Sequence, residues 1–354
     1  MVILTGAILA GYQNLRPRTQ QRNRTEAARE YQLGRELWKQ RHADSISKAI
    51  EHYERAVALD ASYAPVYSGL ADAYLALPLY SSIPKDVLLP KALKAAEKAV
   101  ALDPSLAEAH ISLGDAKAYS GDLAGADPEY RRGIELNPNY TTGHQWYANY
   151  LSLMGRHQEA IEHIVQAVKF DPLSLIMNHN AGQIYYNARQ YNLAIAQFNK
   201  ALQIDPAFYP ACIRLADALR QLGMYREAIE AELEFYRHHG TSIRDVGTDQ
   251  ASAERLLRAF EAGGKKEYWR TRLEIQKEWT EPDNQGLTSE DAGPMYALAI
   301  DYAQNGDVDG AMLLLNNLVE RHEWDMYHLK TEPDLDPLRT DPRFQELLRK
   351  IGFL

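Results

Sequence analysis

The side chains best suited to chemistry in this 354-residue chain are a Gly-Gly-Lys-Lys run, eleven histidines and one cysteine. The run at residues 263–266 lacks the spacing of a phosphate-binding loop, and the sequence contains no G-x-S-x-G or H-E-x-x-H motif. The histidines do not fall at the spacing of metal ligands. Cys212 stands alone, which excludes an intramolecular disulfide, and its place among packing positions predicts a buried thiol. We therefore predict no catalytic residue, no metal site and no cofactor.

The charge of the chain argues against one class of partner. There are 48 acidic residues against 39 lysines and arginines, for a formal charge of −9. A general nucleic-acid binder needs a basic surface that displaces counterions from phosphates. The sequence therefore predicts that this chain binds no nucleic acid.

The first residues differ from the rest of the chain. Val2 to Tyr12 form an apolar run of 11 residues, and residues 1–25 hold four arginines and no acid. A bilayer span takes about 20 residues, and the run lacks the basic start of a signal peptide. Two interpretations stay open: the end of a transmembrane helix that begins upstream, or an additional amphipathic or disordered N-terminus. The arginines favour a cytoplasmic C-terminal side if the run belongs to a membrane helix.

A 34-residue period organises most of the chain. Pro104, Pro138, Pro172 and Pro206 are spaced at this interval, and each follows Asp or Asn at the end of a helical pattern. Proline has no N–H and a fixed φ, so it stops one helix and begins the next connection. Such self-similarity is typical of a repeat protein in which each period is one structural unit.

Small and bulky residues recur with the same period and predict a helical hairpin in each unit. Bulky apolar residues follow a 3.6-residue spacing, and small residues at fixed positions let the helices approach closely. The small residues of one column are Ala92, Ala126, Ala160, Ala194 and Ala228. Glycines at the turn from the first helix to the second, where a left-handed residue is needed, are Gly121, Gly155, Gly223 and Gly306. The predicted fold class is all-α.

The pattern resembles the tetratricopeptide repeat family, and its best copy, within residues 175–208, reads NHNAGQIYYNARQYNLAIAQFNKALQIDP. The resemblance implies a right-handed superhelical solenoid of about eight helix-turn-helix pairs with a C-terminal capping helix, in which the first helices line the concave side. We expect Pro128 to bend the second helix of its repeat, and Asp341 with Pro342 to start the capping helix. The predicted parts are an apolar segment at 1–15, a basic linker at 16–26, a repeat array at 27–240 with an insertion at 76–90, degenerate helical pairs at 241–325 and a cap at 326–354.

Candidate partner-binding residues follow from the family's dicarboxylate clamp, in which lysine, asparagine and arginine side chains of three first helices hold a peptide C-terminus. Asn149, Asn180 and Arg214 match clamp positions, whereas Gln145 and Pro210 replace the two lysines. The amides can bond a peptide backbone and the guanidinium can take a carboxylate, but most of the positive charge is lost. These residues are otherwise solvated polar groups on a helix face.

Two aromatic residues extend the candidate site. Trp146 and Tyr186 fall outside the packing columns and toward the predicted groove, where rigid aromatic surface favours binding. The predicted groove residues are Gln145, Trp146, Asn149, Asn180, Tyr186 and Arg214.

A narrower resemblance is to the C-terminal repeat region of bacterial membrane-anchored winged-helix regulators and Ser/Thr kinases, carried by IELNPNYTTGHQWYANYLSLMGRHQEAIEHI and LDPLRTDPRFQELL. It implies membrane association through the N-terminus, with a soluble repeat domain on a side that the sequence leaves open, or otherwise a cytoplasmic chain. We expect a non-enzymatic scaffold that binds a peptide or protein partner, as the sensing or docking region of a signalling or transcription regulator. The alternatives are a small-molecule sensor and, last, a hydrolase or transferase.

Overall fold

The computed structural model describes the backbone of residues 2–81, 83–239, 249–280, 292–321 and 328–353, and side chains from residue 20 onward within these ranges except at 237–239, 279, 280, 292 and 294. Every regular element in these ranges is a helix, which confirms the all-α prediction. The chain divides into two compact units, Met1–Gly143 and His144–Leu354.

Unit 1 is built from helical pairs. Its helices are α1 (Val2–Trp38), α2 (Ala43–Leu59), α3 (Ala64–Ala76), α4 (Lys85–Leu102), α5 (Ala107–Tyr119) and α6 (Leu123–Leu136), and α7 (Thr141–Leu153) begins in it. The helices of each pair pack together, and α3 also contacts α1 and α5, so the first helices of successive pairs are neighbours. A 3₁₀ turn, Leu77–Leu79, lengthens the connection from α3 to α4, where the sequence predicts the insertion.

Unit 2 continues the same arrangement. Its further helices are α8 (His157–Phe170), α9 (Leu175–Asn187), α10 (Tyr191–Ile204), α11 (Tyr209–Gln221), α12 (Tyr225–His239), α13 (Gln250–Thr280), α14 (Ala292–Gln304), α15 (Val308–Glu320) and α16 (Pro342–Lys350). The pairs α9–α10, α11–α12 and α14–α15 pack within themselves, and α9 also contacts α11. Gly264, with φ of 64°, divides α13 into two helical halves within the Gly-Gly-Lys-Lys run. Successive helix pairs therefore stack as the solenoid prediction requires within each unit.

A bulky side chain of the second helix packs onto a small residue of the first. Phe198 of α10 is fully buried against Gly182 of α9, where an added Cβ would lie 2.5 Å from the ring. One period earlier, Ala148 takes the place of the glycine and the smaller Ile164 takes the place of the ring, and both are fully buried. In both pairs the small and the bulky side chain together fill the same space, so a larger residue at one position goes with a smaller residue at the other, as close packing demands.

The turn from the first helix to the second requires a left-handed residue. Gly121, Gly155 and Gly223 adopt φ of 86°, 76° and 77° there, as predicted. Arg189 occupies the same column one period after Gly155 and has φ of 62°, and Arg41 has φ of 57° at the turn after α1. A side chain in this conformation costs on the order of 1 kcal/mol, whereas glycine adopts it freely.

The N-terminal predictions have separate outcomes. Helix α1 runs without interruption through residues 16–26, so the backbone of the predicted basic linker is helical. The division into an apolar segment and a basic linker stays a prediction. The side chains of the predicted apolar segment, 1–15, lie outside the described residues. None of the described helices combines the length and apolar character needed to traverse a bilayer.

Two local predictions concern prolines. Helix α6 continues through Pro128 to Leu136, so the proline does not end the helix. Asp341 caps α16 by accepting a hydrogen bond from the Arg343 backbone N–H at 2.8 Å, and Pro342 is the first helical residue, which confirms the predicted start.

Candidate partner-binding face

Residues 328–340 of unit 2, called here the docked segment, lie across the first helices of the repeats. At one end Lys330 Nζ donates to the Met154 carbonyl, just after α7, at 3.1 Å. Further along the segment, Gln304 Nε2 of α14 donates to the Asp334 carbonyl at 2.7 Å. Its fully buried apolar side chains are Leu329, Leu335 and Leu338. The first-helix face of unit 2 therefore already holds a stretch of polypeptide.

Arg189 binds this segment from the turn between α9 and α10. Its guanidinium donates to the Thr331 carbonyl and to Asp336 Oδ1, each at 2.7 Å. The left-handed backbone of Arg189 directs the side chain to the segment from a position where other repeats have glycine. The binding contact therefore offsets the conformational cost of a side chain at this turn.

Glu332 is the most buried anchor of the segment. Its carboxylate is 2% exposed and accepts a hydrogen bond from the Tyr186 hydroxyl at 2.9 Å, while Arg214 Nη1 lies 3.5 Å from its other oxygen. Burial is the main cause that raises the pKa of Tyr186 well above its ordinary value, and the negative charges of the Asp334 and Glu332 carboxylates raise it further. Burial alone would lower the pKa of Arg214, but the Asp217 and Glu332 carboxylates overcome it and raise that pKa. Tyr186 is thus a neutral donor and Arg214 a permanent cation.

Asp334 adds a second acid to the same face. Its carboxylate accepts a hydrogen bond from Gln221, whose Nε2 donates to Asp334 Oδ1 at 2.5 Å. Burial, with repulsion from Glu332 and Asp217, raises the pKa of Asp334 to about 7. One amide, two arginines and a tyrosine of unit 2 therefore contact three acidic side chains of the docked segment.

The structure places the six predicted groove residues differently. Tyr186 and Arg214 do come together, with the Arg214 Cζ 6.0 Å from the Tyr186 ring centre. The expectation that Tyr186 faces an open groove is wrong, because Tyr186 is fully buried in a core cluster and its hydroxyl donates to Glu332 of the docked segment. Gln145 is 5% exposed, so the expectation that it faces a groove is also wrong. The half-buried members are Trp146, Asn149 and Asn180, and their contact with a partner stays a prediction.

Several residues of the docked segment, and of the helices and turns that contact it, were not predicted from the sequence. Arg189 interrupts the glycine column, and this interruption is a signal that the sequence offered. Glu332, Asp334 and Asp336 alternate with prolines and leucines in a tail without repeat pattern, and their opposite charge to Arg189 was the second signal. Neither signal shows by itself which residues meet.

The remaining candidates for chemistry are spread apart in the described ranges. No group of three or more His, Cys, Asp or Glu residues within them is close enough to hold a metal ion. Cys212 is buried, as predicted, and burial raises its pKa to about 12. The raised pKa of Asp334 on this face belongs to a contact of the docked segment.

Comparison with protein families identifies the repeats. Tetratricopeptide repeat models match residues 107–140 and 185–231, which include α5–α6 and the turn that carries Arg189. The chain contains tetratricopeptide repeats. Such repeats are generally protein-interaction modules, which present extended binding surfaces through stacked helix pairs.

Curated relatives match over short stretches. The small glutamine-rich tetratricopeptide repeat-containing protein 2 of Mycosarcoma maydis is 31% identical over 86 residues, which is 24% of each protein. The TPR repeat-containing thioredoxin TDX of Arabidopsis thaliana is 27% identical over 112 residues, or 30% of each. The chain thus spans less than a third of the length of these relatives.

A solved structure supports the fold over most of the chain. A monomeric mutant of IFIT1 with Gppp-AAAA has a TM-score of 0.57 and 16% sequence identity, and the match covers 92% of this chain and 71% of that one. At this identity the likeness concerns the fold alone.

Proposed function

We propose that this chain is a non-enzymatic scaffold that binds a peptide or protein partner along the first helices of its repeats. The observation that carries this proposal is the docked segment, since the first-helix face of unit 2 holds an acidic stretch of polypeptide through side chains of α9, α11 and α14. A surface with this chemistry is suited to recognising another polypeptide in the same way.

The half-buried part of the face is the proposed contact region for a partner. Trp146, Asn180 and Arg214 stand one period apart on α7, α9 and α11, and Arg214 supports the assignment because it lies near a carboxylate. Trp146 offers a rigid aromatic surface, and Asn149 and Asn180 offer amide donors and acceptors for a peptide backbone.

We further propose that the chain serves as the sensing or docking region of a membrane-associated signalling or transcription regulator. The support for this role is the resemblance of the repeat style and of the tail, LDPLRTDPRFQELL, to that class of regulator. Fractionation of the product expressed from its native locus tests it, and recovery only in the soluble fraction would contradict the membrane association.

Peptide display against the full-length chain tests the binding function. Peptides selected from a random library should bind the wild type, and the Trp146→Ala/Asn180→Ala double variant should bind them at least tenfold more weakly, because it removes the aromatic surface and one amide. Leu173→Ala is the matched control, since Leu173 lies in the turn between α8 and α9 and is 79% exposed. Unchanged binding by a double variant that keeps the wild-type circular dichroism would contradict the assignment.

Further measurements on the same wild-type protein distinguish this proposal from its alternatives. A small-molecule sensor would show a ligand-dependent rise in melting temperature without any polypeptide partner. Because the IFIT1 structure of similar fold is described with Gppp-AAAA, an oligoadenylate RNA belongs in the binding assay. Selective binding of that RNA in place of peptides would contradict the proposed partner class.

A further inference from the structure

Arg41 and Arg189 share a conformation that no other non-glycine residue has in the described ranges. Both lie in the left-handed region, with φ of 57° and 62°. Both stand at the turn after a first helix, and each backbone N–H bonds to the carbonyl three residues earlier, that of Trp38 at 3.3 Å or of Tyr186 at 2.9 Å. The pairs Trp38–Arg41 and Tyr186–Arg189 are therefore equivalent places in unit 1 and unit 2.

In unit 2 the reason for an arginine at this turn is visible. Arg189 binds the Thr331 carbonyl and the Asp336 carboxylate of the docked segment, and the aromatic residue three positions earlier, Tyr186, binds Glu332. The turn arginine and the aromatic residue thus hold two acidic side chains and one backbone carbonyl of the same polypeptide.

In unit 1 the equivalent arginine has no such ligand. The Arg41 Cζ lies 3.7 Å from the centre of the Trp38 ring, and no carboxylate of the described chain pairs with its guanidinium. Its neighbour Arg35 is already engaged, 3.4 Å from Asp72, which also accepts a hydrogen bond from Ser112 at 2.6 Å. Burial lowers the pKa of Arg41 although Tyr80 and the Asp72 and Asp115 carboxylates act in the opposite direction, so these groups do not fully offset the withdrawal of the guanidinium from water.

We propose that Arg41, stacked on Trp38, is a binding site in unit 1 for an acidic polypeptide segment of the type that Arg189 holds in unit 2. The site takes a side-chain carboxylate on the guanidinium, with a neighbouring backbone carbonyl on its remaining N–H groups. Arginine is suited to this task because its planar fork binds carboxylates bidentately and stacks on aromatic rings. This inference rests on the proposed function, and it names the chemistry of one partner segment.

Charge supports an acidic ligand over a neutral one. In unit 2, the three acids of the docked segment that contact the face are Glu332, Asp334 and Asp336. In unit 1, Arg35 pairs with Asp72, and Arg41 stacks on an aromatic ring with no carboxylate of the described residues in direct contact, although the Asp72 and Asp115 carboxylates act on its charge from further away. A carboxylate in contact with this guanidinium would reproduce the pairing that Arg189 makes with Asp336 in unit 2.

The probe is a fluorescein-labelled peptide with the sequence of residues 329–338, LKTEPDLDPL, measured by fluorescence anisotropy on the full-length protein. Arg41→Gly should weaken its binding about tenfold or more, because a charge-assisted bidentate contact is lost. The fold should persist, since glycine is the ordinary residue at this turn, and the melting temperature should equal or exceed that of the wild type. A peptide with Gln and Asn in place of its three acids should bind wild type at least tenfold more weakly.

Arg189→Gly is the matched control, because it makes the same change at the equivalent turn of unit 2. Peptide binding that is lost in Arg189→Gly but kept in Arg41→Gly would place the probe on unit 2 and overturn the inference. Absence of binding to the wild type at millimolar peptide, or displacement of the peptide by an oligoadenylate RNA that itself depends on Arg41, would overturn it also. If Arg41→Gly has no effect while Trp146→Ala/Asn180→Ala abolishes the binding of selected peptides, this inference fails and the proposed function stands.

Discussion

The packing of Phe198 on Gly182 allows a quantitative test of how the repeats are built. Gly182→Ala introduces one methyl group whose carbon would lie 2.5, 2.6 and 2.9 Å from three ring atoms of Phe198. The ring is fully buried and belongs to a cluster with Tyr185, Ala194 and Leu215, so it has no free space to move into. We therefore expect Gly182→Ala to destabilise the protein through overpacking.

Two opposing effects determine how much Gly182→Ala should lower the free energy of unfolding. Overpacking a well-filled core costs about 1–3 kcal/mol, while alanine in place of glycine inside a helix returns about 1 kcal/mol. Because contacts as short as 2.5 Å place this change in the upper part of the overpacking range, about 2–3 kcal/mol, the net loss should be about 1–2 kcal/mol. Phe198→Ile alone should lose about 1–3 kcal/mol, because it leaves a cavity. The double variant reproduces the natural Ala148–Ile164 pair, so its loss should fall short of the sum of the single losses by about 1 kcal/mol or more.

Urea unfolding of the full-length chain, followed by circular dichroism at 222 nm, measures these differences through the transition that reports unit 2. The reciprocal variant, Ala148→Gly with Ile164→Phe, is the control and should show the same favourable coupling. A neutral Gly182→Ala, or a double variant whose loss equals the sum of the two singles, would refute the argument that the two positions share one volume.

Three further predictions concern the docked segment and the cysteine. Glu332→Ala should lower the free energy of unfolding by about 2–4 kcal/mol, because Tyr186 and Arg214 lose a buried acceptor; urea unfolding measures it, and a change within error would contradict the anchoring role. The pKa of Asp334 is raised by burial to about 7 in the folded state, so its stabilising effect is complete below its ordinary pKa of 3.8 and is lost as the pH rises through about 7. Asp334→Asn should therefore flatten the decline of stability between about pH 4 and pH 7, by up to about 1.4 kcal/mol per pH unit, and an unchanged slope would argue against it. Cys212, whose pKa burial raises to about 12, should resist Ellman's reagent in the native state and react only when urea unfolds the chain.

The parts of the fold that depend on neighbouring residues could be predicted from the sequence. The helical hairpins, the left-handed glycines such as Gly155 and the Asp341 cap all follow from patterns shorter than one repeat. Turn geometry and helix capping are decided by a few adjacent residues, so a single sequence contains the needed information.

The docked segment could not be predicted in this way. Tyr186 and Glu332 are 146 residues apart, and nothing in either local pattern indicates the other. The local patterns therefore predict that Tyr186 lies in an open groove and that the tail is a cap. They also indicate Arg214 as a residue suited to a carboxylate, and in the structure its Nη1 lies 3.5 Å from Glu332. Long-range pairing of a repeat face with a non-repeating tail requires the folded chain.

The contact between Lys330 and the carbonyl of Met154 joins residues 176 positions apart. In most solenoids each repeat touches only adjacent repeats, so unfolding can begin at an end and advance unit by unit. Here the docked segment connects the last helices to the residue after α7, so its release exposes several repeats at once. Fraying from the C-terminus should consequently be suppressed, and the repeats from α7 to α14 should exchange their amide hydrogens as one cooperative block.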